Sequence, residues 1–203
     1  MALAGRGIAS LTIDNPEQRT AEGTPRPRPW DADAARADRA RLVVDARRGL
    51  DLLAAPPEVD GRRLALVGHS LGFEVGAAVA ALDGRVTAAV LMTGFAAETA
   101  YWSAGEGRLP VTFRGLLGPG SQRAFLDAIA PYDSIRFLPK IAPRPFLVQF
   151  ARRGESVAPW DAQLSILAAG DRATVEWFDT EHILDAAAQA SRDAWLVRVL
   201  AAR

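Results

Sequence analysis

Apolar and polar residues fall in blocks along the chain, and the length and period of each block predict an element. Ile8–Ile13 (Ile-Ala-Ser-Leu-Thr-Ile) reads as a short strand, entered from Gly5-Arg6-Gly7 and closed by Asp14-Asn15-Pro16. Residues 15–31 are polar and carry Pro25, Pro27 and Pro29, which can continue neither a helix nor a central strand; a loop is expected. From Ala34 to Leu53 the period becomes helical, with Leu42, Val43, Ala46, Leu50 and Leu53 at three- and four-residue spacing, until Pro56-Pro57 ends it. Leu64–Val67 is apolar throughout, as a strand covered on both faces should be. Ser70–Leu82, rich in Gly and Ala, reads as a helix able to pack closely on a sheet, and Val86–Met92 as a third strand. Residues 95–143 mix Gly and Pro with scattered aromatics (Tyr101, Trp102, Phe113, Phe125, Tyr132, Phe137) and predict irregular structure with short helices at 121–130 and 133–138. Two more strands, Phe146–Phe150 and Ala173–Phe178, flank a helix over Pro159–Ala169. A last helix, Leu184–Ala202, has Ala188, Trp195, Leu196, Val199 and Leu200 on its apolar face.

From residue 64 onward strands alternate with helices, which predicts an α/β fold: a mostly parallel sheet with helices on both faces. A chain of 203 residues suits a single domain, 1–203. Within it, 95–143 is a candidate for a small cap insertion, its aromatics candidates either for shaping a pocket or for filling core gaps. Composition narrows the function classes. The 24 basic and 24 acidic residues cancel, so there is no basic footprint for a nucleic acid. The absence of cysteine excludes disulfides, thiolate catalysis and cysteine zinc sites. The longest apolar stretch, Val75–Phe95, is broken by Asp83, Gly84 and Arg85, which argues against a membrane span. The N-terminus lacks the basic and apolar regions of a signal peptide, so a cytoplasmic location is expected.

Gly68-His69-Ser70-Leu71-Gly72 matches G-x-S-x-G between an apolar strand and a small-residue helix. A serine at such a tight turn is lifted above the sheet, glycines let neighbouring backbone approach, and the helix N-terminus favours an oxyanion nearby. Ser70 is therefore the candidate nucleophile; the plainer alternative is a glycine-rich turn with an incidental serine. A serine needs a base, and the chain has only two histidines, His69 and His182. His69 adjoins Ser70, and adjacent residues at a sharp turn point apart. His182, just past the fifth predicted strand, is the base by elimination, or else a surface loop histidine. For the orienting carboxylate the best-placed residue is Glu155, after the fourth predicted strand; Asp161 is second but lies inside the next helix. Asp179 and Glu181 read as solvated loop charges.

These residues resemble the α/β-hydrolase superfamily, within it the dienelactone hydrolase-like and esterase/peptidase-like groups. Leu3–Asp14 is similar to the end of a first major helix and its following strand, Gly68–Gly72 to the nucleophile elbow, Pro143–Val157 to the acid-bearing strand and loop, and Phe178–Leu184 to the histidine loop. The resemblance implies Ser70 as nucleophile, His182 as base and the N–H of Leu71 as one oxyanion donor. Two departures stand out. The family loop commonly reads G-x-x-D-x-x-V, which puts the Asp position at Gly154 and leaves Glu155 one residue late. The family also has strands before the one at Ile8, another between the Ile8 and Leu64 strands, and a His-Gly loop supplying the second oxyanion N–H. The chain is read as N-terminally shortened, as from a misplaced start codon, with an exposed sheet edge that would favour oligomers. The implied activity is a serine hydrolase cleaving an ester or related acyl bond of a small molecule, with no metal or organic cofactor. The alternative is a non-catalytic hydrolase-like domain binding a small molecule or partner through the same pocket.

Overall fold

The computed structural model describes residues 3–13, 30–154 and 157–201. Four apolar blocks form strands: β1 (Leu64–His69), β2 (Val86–Met92), β3 (Phe146–Ala151) and β4 (Ala173–Phe178). They pair in parallel in the order β1-β2-β3-β4. The continuous apolar runs conceal a two-residue period. Ala89, Leu91, Phe146, Val148 and Phe150 point to one face, where α1 (Ala32–Ala54), α2 (Leu71–Leu82) and α6 (Pro159–Ala169) cover them. Ala88, Val90, Met92 and Leu147 point to the other, against Ala188, Trp195 and Leu196 of α7 (Ala186–Ala201). Helices on both faces of a parallel sheet are the architecture the alternating pattern predicts.

Helix α1 begins two residues before its apolar period does, because the Asp31 side chain accepts the Ala34 N–H at 2.8 Å and caps it. The segment 95–143 is more helical than expected. It holds α3 (Glu98–Ala104), α4 (Arg108–Leu116) and α5 (Pro119–Ile129), followed by short 3₁₀ turns. Its glycines and prolines punctuate helices rather than break them: Gly107 and Gly118 sit at N-caps, and Pro119 occupies the first turn, where no N–H is needed. Trp102, Phe113 and Phe125 pack on one another and on Ile129 and Trp30, with Trp102 and Phe125 edge-to-face at 5.8 Å. These aromatics fill a small core of their own.

The strand expected at Ile8–Ile13 is not formed. Leu3–Arg6 is a 3₁₀ turn, and residues 8–13 belong to no strand of the sheet. A groove of about 920 Å³ is lined by residues 7–13, by β1 and by the Ser70 turn, and among the described residues no neighbouring strand offers this segment hydrogen bonds. Ile13 instead lies against Gly49 of α1. The outer edge of β1 faces the groove, and Val67 is 43% exposed there.

Candidate active site

Parallel strands place all their carboxyl ends on one edge of the sheet. Ser70 follows β1, Thr93 follows β2, Gly154 lies beyond β3 and His182 beyond β4. Ser70 is held at φ 55, ψ −122, a conformation costly to any residue but glycine. Two hydrogen bonds fix it there: its N–H donates to the Met92 carbonyl at 2.9 Å, and its carbonyl accepts the Phe73 N–H at 2.7 Å. A Cβ at Gly68 would lie 1.8 Å from the Gly72 carbonyl oxygen, so only glycine permits this turn. Gly72 faces open space, and the close approach expected of both flanking glycines is needed at the first alone. Leu71 is the first residue of α2, where helical N–H groups have no intrahelical acceptor.

His182 sits in the loop between β4 and α7, half-buried. Its carbonyl oxygen lies 3.0 Å from His69 Nε2 and accepts the Thr93 hydroxyl at 3.3 Å. The two imidazole rings are 5.0 Å apart. Burial, and then the charge of His69, hold the His182 imidazole below its ordinary pKa. The ring is thereby kept neutral and able to accept a proton. Its Nδ1 is buried and has no partner among the described residues. Nor does any hydrogen bond join Ser70 Oγ to His182; such contacts commonly tighten only with substrate bound.

The predicted carboxylate, Glu155, lies outside the described residues. Its neighbour Gly154 abuts His182: a Cβ built there would be 3.5 Å from the His182 Cα and N. The second candidate, Asp161, is engaged elsewhere. It is buried in α6 and accepts the N–H groups of Ala96 at 2.8 Å and Ala97 at 3.1 Å, and burial pushes it up to about 6. Asp179 and Glu181 pair with Arg153 at 3.1 and 3.9 Å on the surface, as loop charges were expected to do.

A second polar layer lies under the elbow and was not anticipated. Glu74, in the first turn of α2, is buried and accepts the Phe95 N–H at 2.7 Å. Arg39 of α1 and Glu98 of α3 form a buried two-bond pair at 2.6 and 2.9 Å, and Trp102 Nε1 donates to Glu98 at 3.1 Å. The one available signal was a lone Glu inside the small-residue helix Leu-Gly-Phe-Glu-Val-Gly-Ala-Ala. A charge there is either buried or breaks the packing face. Among the described residues, no group of three His, Asp or Glu could hold a metal ion, and no helix is long and apolar enough to cross a membrane.

No family model matches the chain, and no curated protein does. Solved structures do match. The chain is similar to the 2,6-dihydroxy-pseudo-oxynicotine hydrolase at TM-score 0.64 and 20% identity, over 78% of this chain and 46% of that one. It is similar to an acetyl xylan esterase from Paenibacillus sp. R4 at 0.66 and 17%, over 84% and 55%. It is similar to a glucuronoyl esterase from Solibacter usitatus at 0.58 and 19%, over 90% and 53%. The chain thus spans about half the length of these structures. At such identities the likeness speaks to the fold. It agrees with the parallel strand order and the helices on both faces, and the chain has a fold of the α/β-hydrolase type.

Proposed function

We propose that this chain is a serine hydrolase that cleaves an ester or related acyl bond of a small molecule. The observation that carries the reading is the strained Ser70 at the start of α2, with the neutral imidazole of His182 held at the same sheet edge. In this mechanism Ser70 Oγ attacks the acyl carbon while His182 takes its proton. The developing oxyanion is met by the Leu71 N–H and the helix terminus behind it. His182 then returns the proton to the leaving alcohol, and water repeats the sequence on the acyl-enzyme. Glu155 is assigned as the orienting carboxylate. Its support is the placement of its neighbour Gly154 against His182. This mechanism requires no metal or organic cofactor. The esterases and the hydrolase to which the chain is similar favour this substrate class. Labelling with a fluorophosphonate, read as a mass increase on Ser70, tests the reading. A folded protein that is not labelled refutes it.

One observation favours a second reading, a non-catalytic domain that binds a small molecule through the same pocket: Nδ1 of His182 has no partner among the described residues. An imidazole without its orienting group is expected to lose several orders of magnitude in rate. The two readings part on Ser70→Ala, which abolishes ester turnover in the first and leaves ligand binding intact in the second.

A further inference from the structure

We propose that His69 and Thr93 are positioning residues that hold the base-bearing loop by the main-chain carbonyl of His182. This rests on the reading of His182 as general base. A catalytic imidazole is ordinarily oriented through its second ring nitrogen. Here that nitrogen has no partner among the described residues, while the carbonyl of the same residue is met from two sides, by His69 Nε2 at 3.0 Å and Thr93 Oγ1 at 3.3 Å. A carbonyl oxygen has two lone pairs, and both are used. His69 can make this contact only with a proton on Nε2, so that nitrogen is a donor and cannot serve as the base.

The backbone at Thr93 points the same way. Thr93 is β-branched yet sits at φ 44, a left-handed conformation such residues rarely adopt. Its N–H donates to the Gln149 carbonyl at 2.9 Å, which ties the strained residue to β3. Strain of this kind persists where the surroundings impose it, and here it aims the hydroxyl at the His182 carbonyl. The clamp also links the two halves of the site. His69 is the last residue of β1 and the direct neighbour of Ser70, so one side chain fixes the base loop relative to the nucleophile. Neither His69 nor Thr93 touches the reacting atoms in this scheme; each acts through His182.

The test compares wild type with Thr93→Val, Thr93→Ser and His69→Phe. Val keeps the branched shape without the hydroxyl, Ser keeps the hydroxyl, and Phe keeps a ring without the donor. Three quantities are read: the rate of fluorophosphonate labelling at Ser70, KM for a simple aryl ester, and amide hydrogen exchange across residues 180–184. One lost hydrogen bond corresponds to about a three- to tenfold effect. Thr93→Val should slow labelling by that factor and speed loop exchange, while KM for a simple aryl ester stays unchanged. Thr93→Ser should recover the rate, and His69→Phe should slow labelling at least as much as Thr93→Val. Labelling and exchange equal to wild type in both Thr93→Val and His69→Phe overturn the proposal, and so does a Thr93→Ser rate as low as that of Thr93→Val. Wild-type protein that is never labelled refutes the hydrolase reading instead. Loop exchange then decides the clamp alone: faster in both variants supports it, and unchanged exchange overturns it.

Discussion

Glu74 gives the sharpest physical prediction. It is 3% exposed in the first turn of α2; Oε1 accepts the Phe95 N–H at 2.7 Å, and Oε2 is buried without a partner among the described residues. Burial, and then the charge of Glu98, push its carboxyl up to about 8 from an ordinary 4.5, against smaller opposing effects of the Phe95 N–H and of Arg39. The folded chain therefore keeps Glu74 protonated at neutral pH, whereas the unfolded chain ionises it. Its contribution to stability is fully present below pH 4.5 and is lost as pH rises toward about 8. Across that window the loss is about 1.4 kcal/mol per pH unit, or about 3 kcal/mol by pH 7. Glu74→Gln keeps an acceptor for Phe95 and cannot ionise. Its amide brings N–H groups into a site with no acceptor, which costs about 1–3 kcal/mol but does so equally at every pH. The variant should therefore start less stable than wild type near pH 4.5 and gain on it by about 3 kcal/mol by pH 7. Asp161 and Asp133 are also raised by burial, but they are present in both proteins and cancel in the difference. Urea denaturation followed by tryptophan fluorescence at pH 5, 6, 7 and 8 measures it. Parallel stability–pH curves for the two proteins would mean that Glu74 is ionised beside Arg39, and the reasoning would be refuted.

Three further outcomes are expected. Ser70→Gly should abolish fluorophosphonate labelling yet raise stability by about 1 kcal/mol, because glycine relieves the backbone strain at φ 55; a less stable variant in urea denaturation counts against the strain. Gly154→Asp places a carboxylate against His182, where a Cβ meets the His182 backbone at 3.5 Å. In a Glu155→Gln background, which lacks the assigned carboxylate, Gly154→Asp should therefore raise kcat on an aryl ester by about tenfold or more, since an orienting carboxylate is worth orders of magnitude; a folded double variant with unchanged kcat shows the placement to be wrong. Finally, the acid limb of kcat/KM should lie below pH 6.5, since burial and the His69 charge both disfavour the His182 imidazolium. Activity falls as pH drops through that limb, and a limb above 6.5 would contradict the assigned base.

Most of the sheet was legible because the strand blocks are predominantly apolar and are bounded by turn residues. Val86–Met92, Pro159–Ala169 and Ala173–Phe178 match the observed elements to the residue. Two segments were not legible, for opposite reasons. At Ile8–Ile13 the local pattern favours a strand, but a strand needs a hydrogen-bonded neighbour, and the neighbouring space is a groove. At 95–143 local composition favours irregular structure, yet Gly107, Gly118 and Pro119 stand at helix starts, where they cost nothing. In the first case tertiary context withheld what the pattern required. In the second, position within the helix decided what composition alone could not.

The site divides along a similar line. Motifs report side chains, so Ser70 and His182 could be named before any fold was known. Hydrogen bonds to the main chain leave almost no mark on sequence, and much of this site is built from them. Asp161 looked like a spare carboxylate for His182, but its two oxygens hold the Ala96 and Ala97 N–H groups, and Glu74 holds that of Phe95. Two buried carboxylates thus fix three successive backbone N–H groups of the loop after β2. That loop begins at Thr93, whose hydroxyl holds the His182 carbonyl. His69 looked like a poor base, and its useful atom is the nitrogen that meets the same carbonyl. The strained residues make the contrast plain. Ser70 and Thr93 both have left-handed φ at adjacent strand ends. Only the first stands between glycines in a motif. The second is announced by nothing but a threonine before Gly94, and its strain becomes intelligible only when the carbonyl it serves is seen.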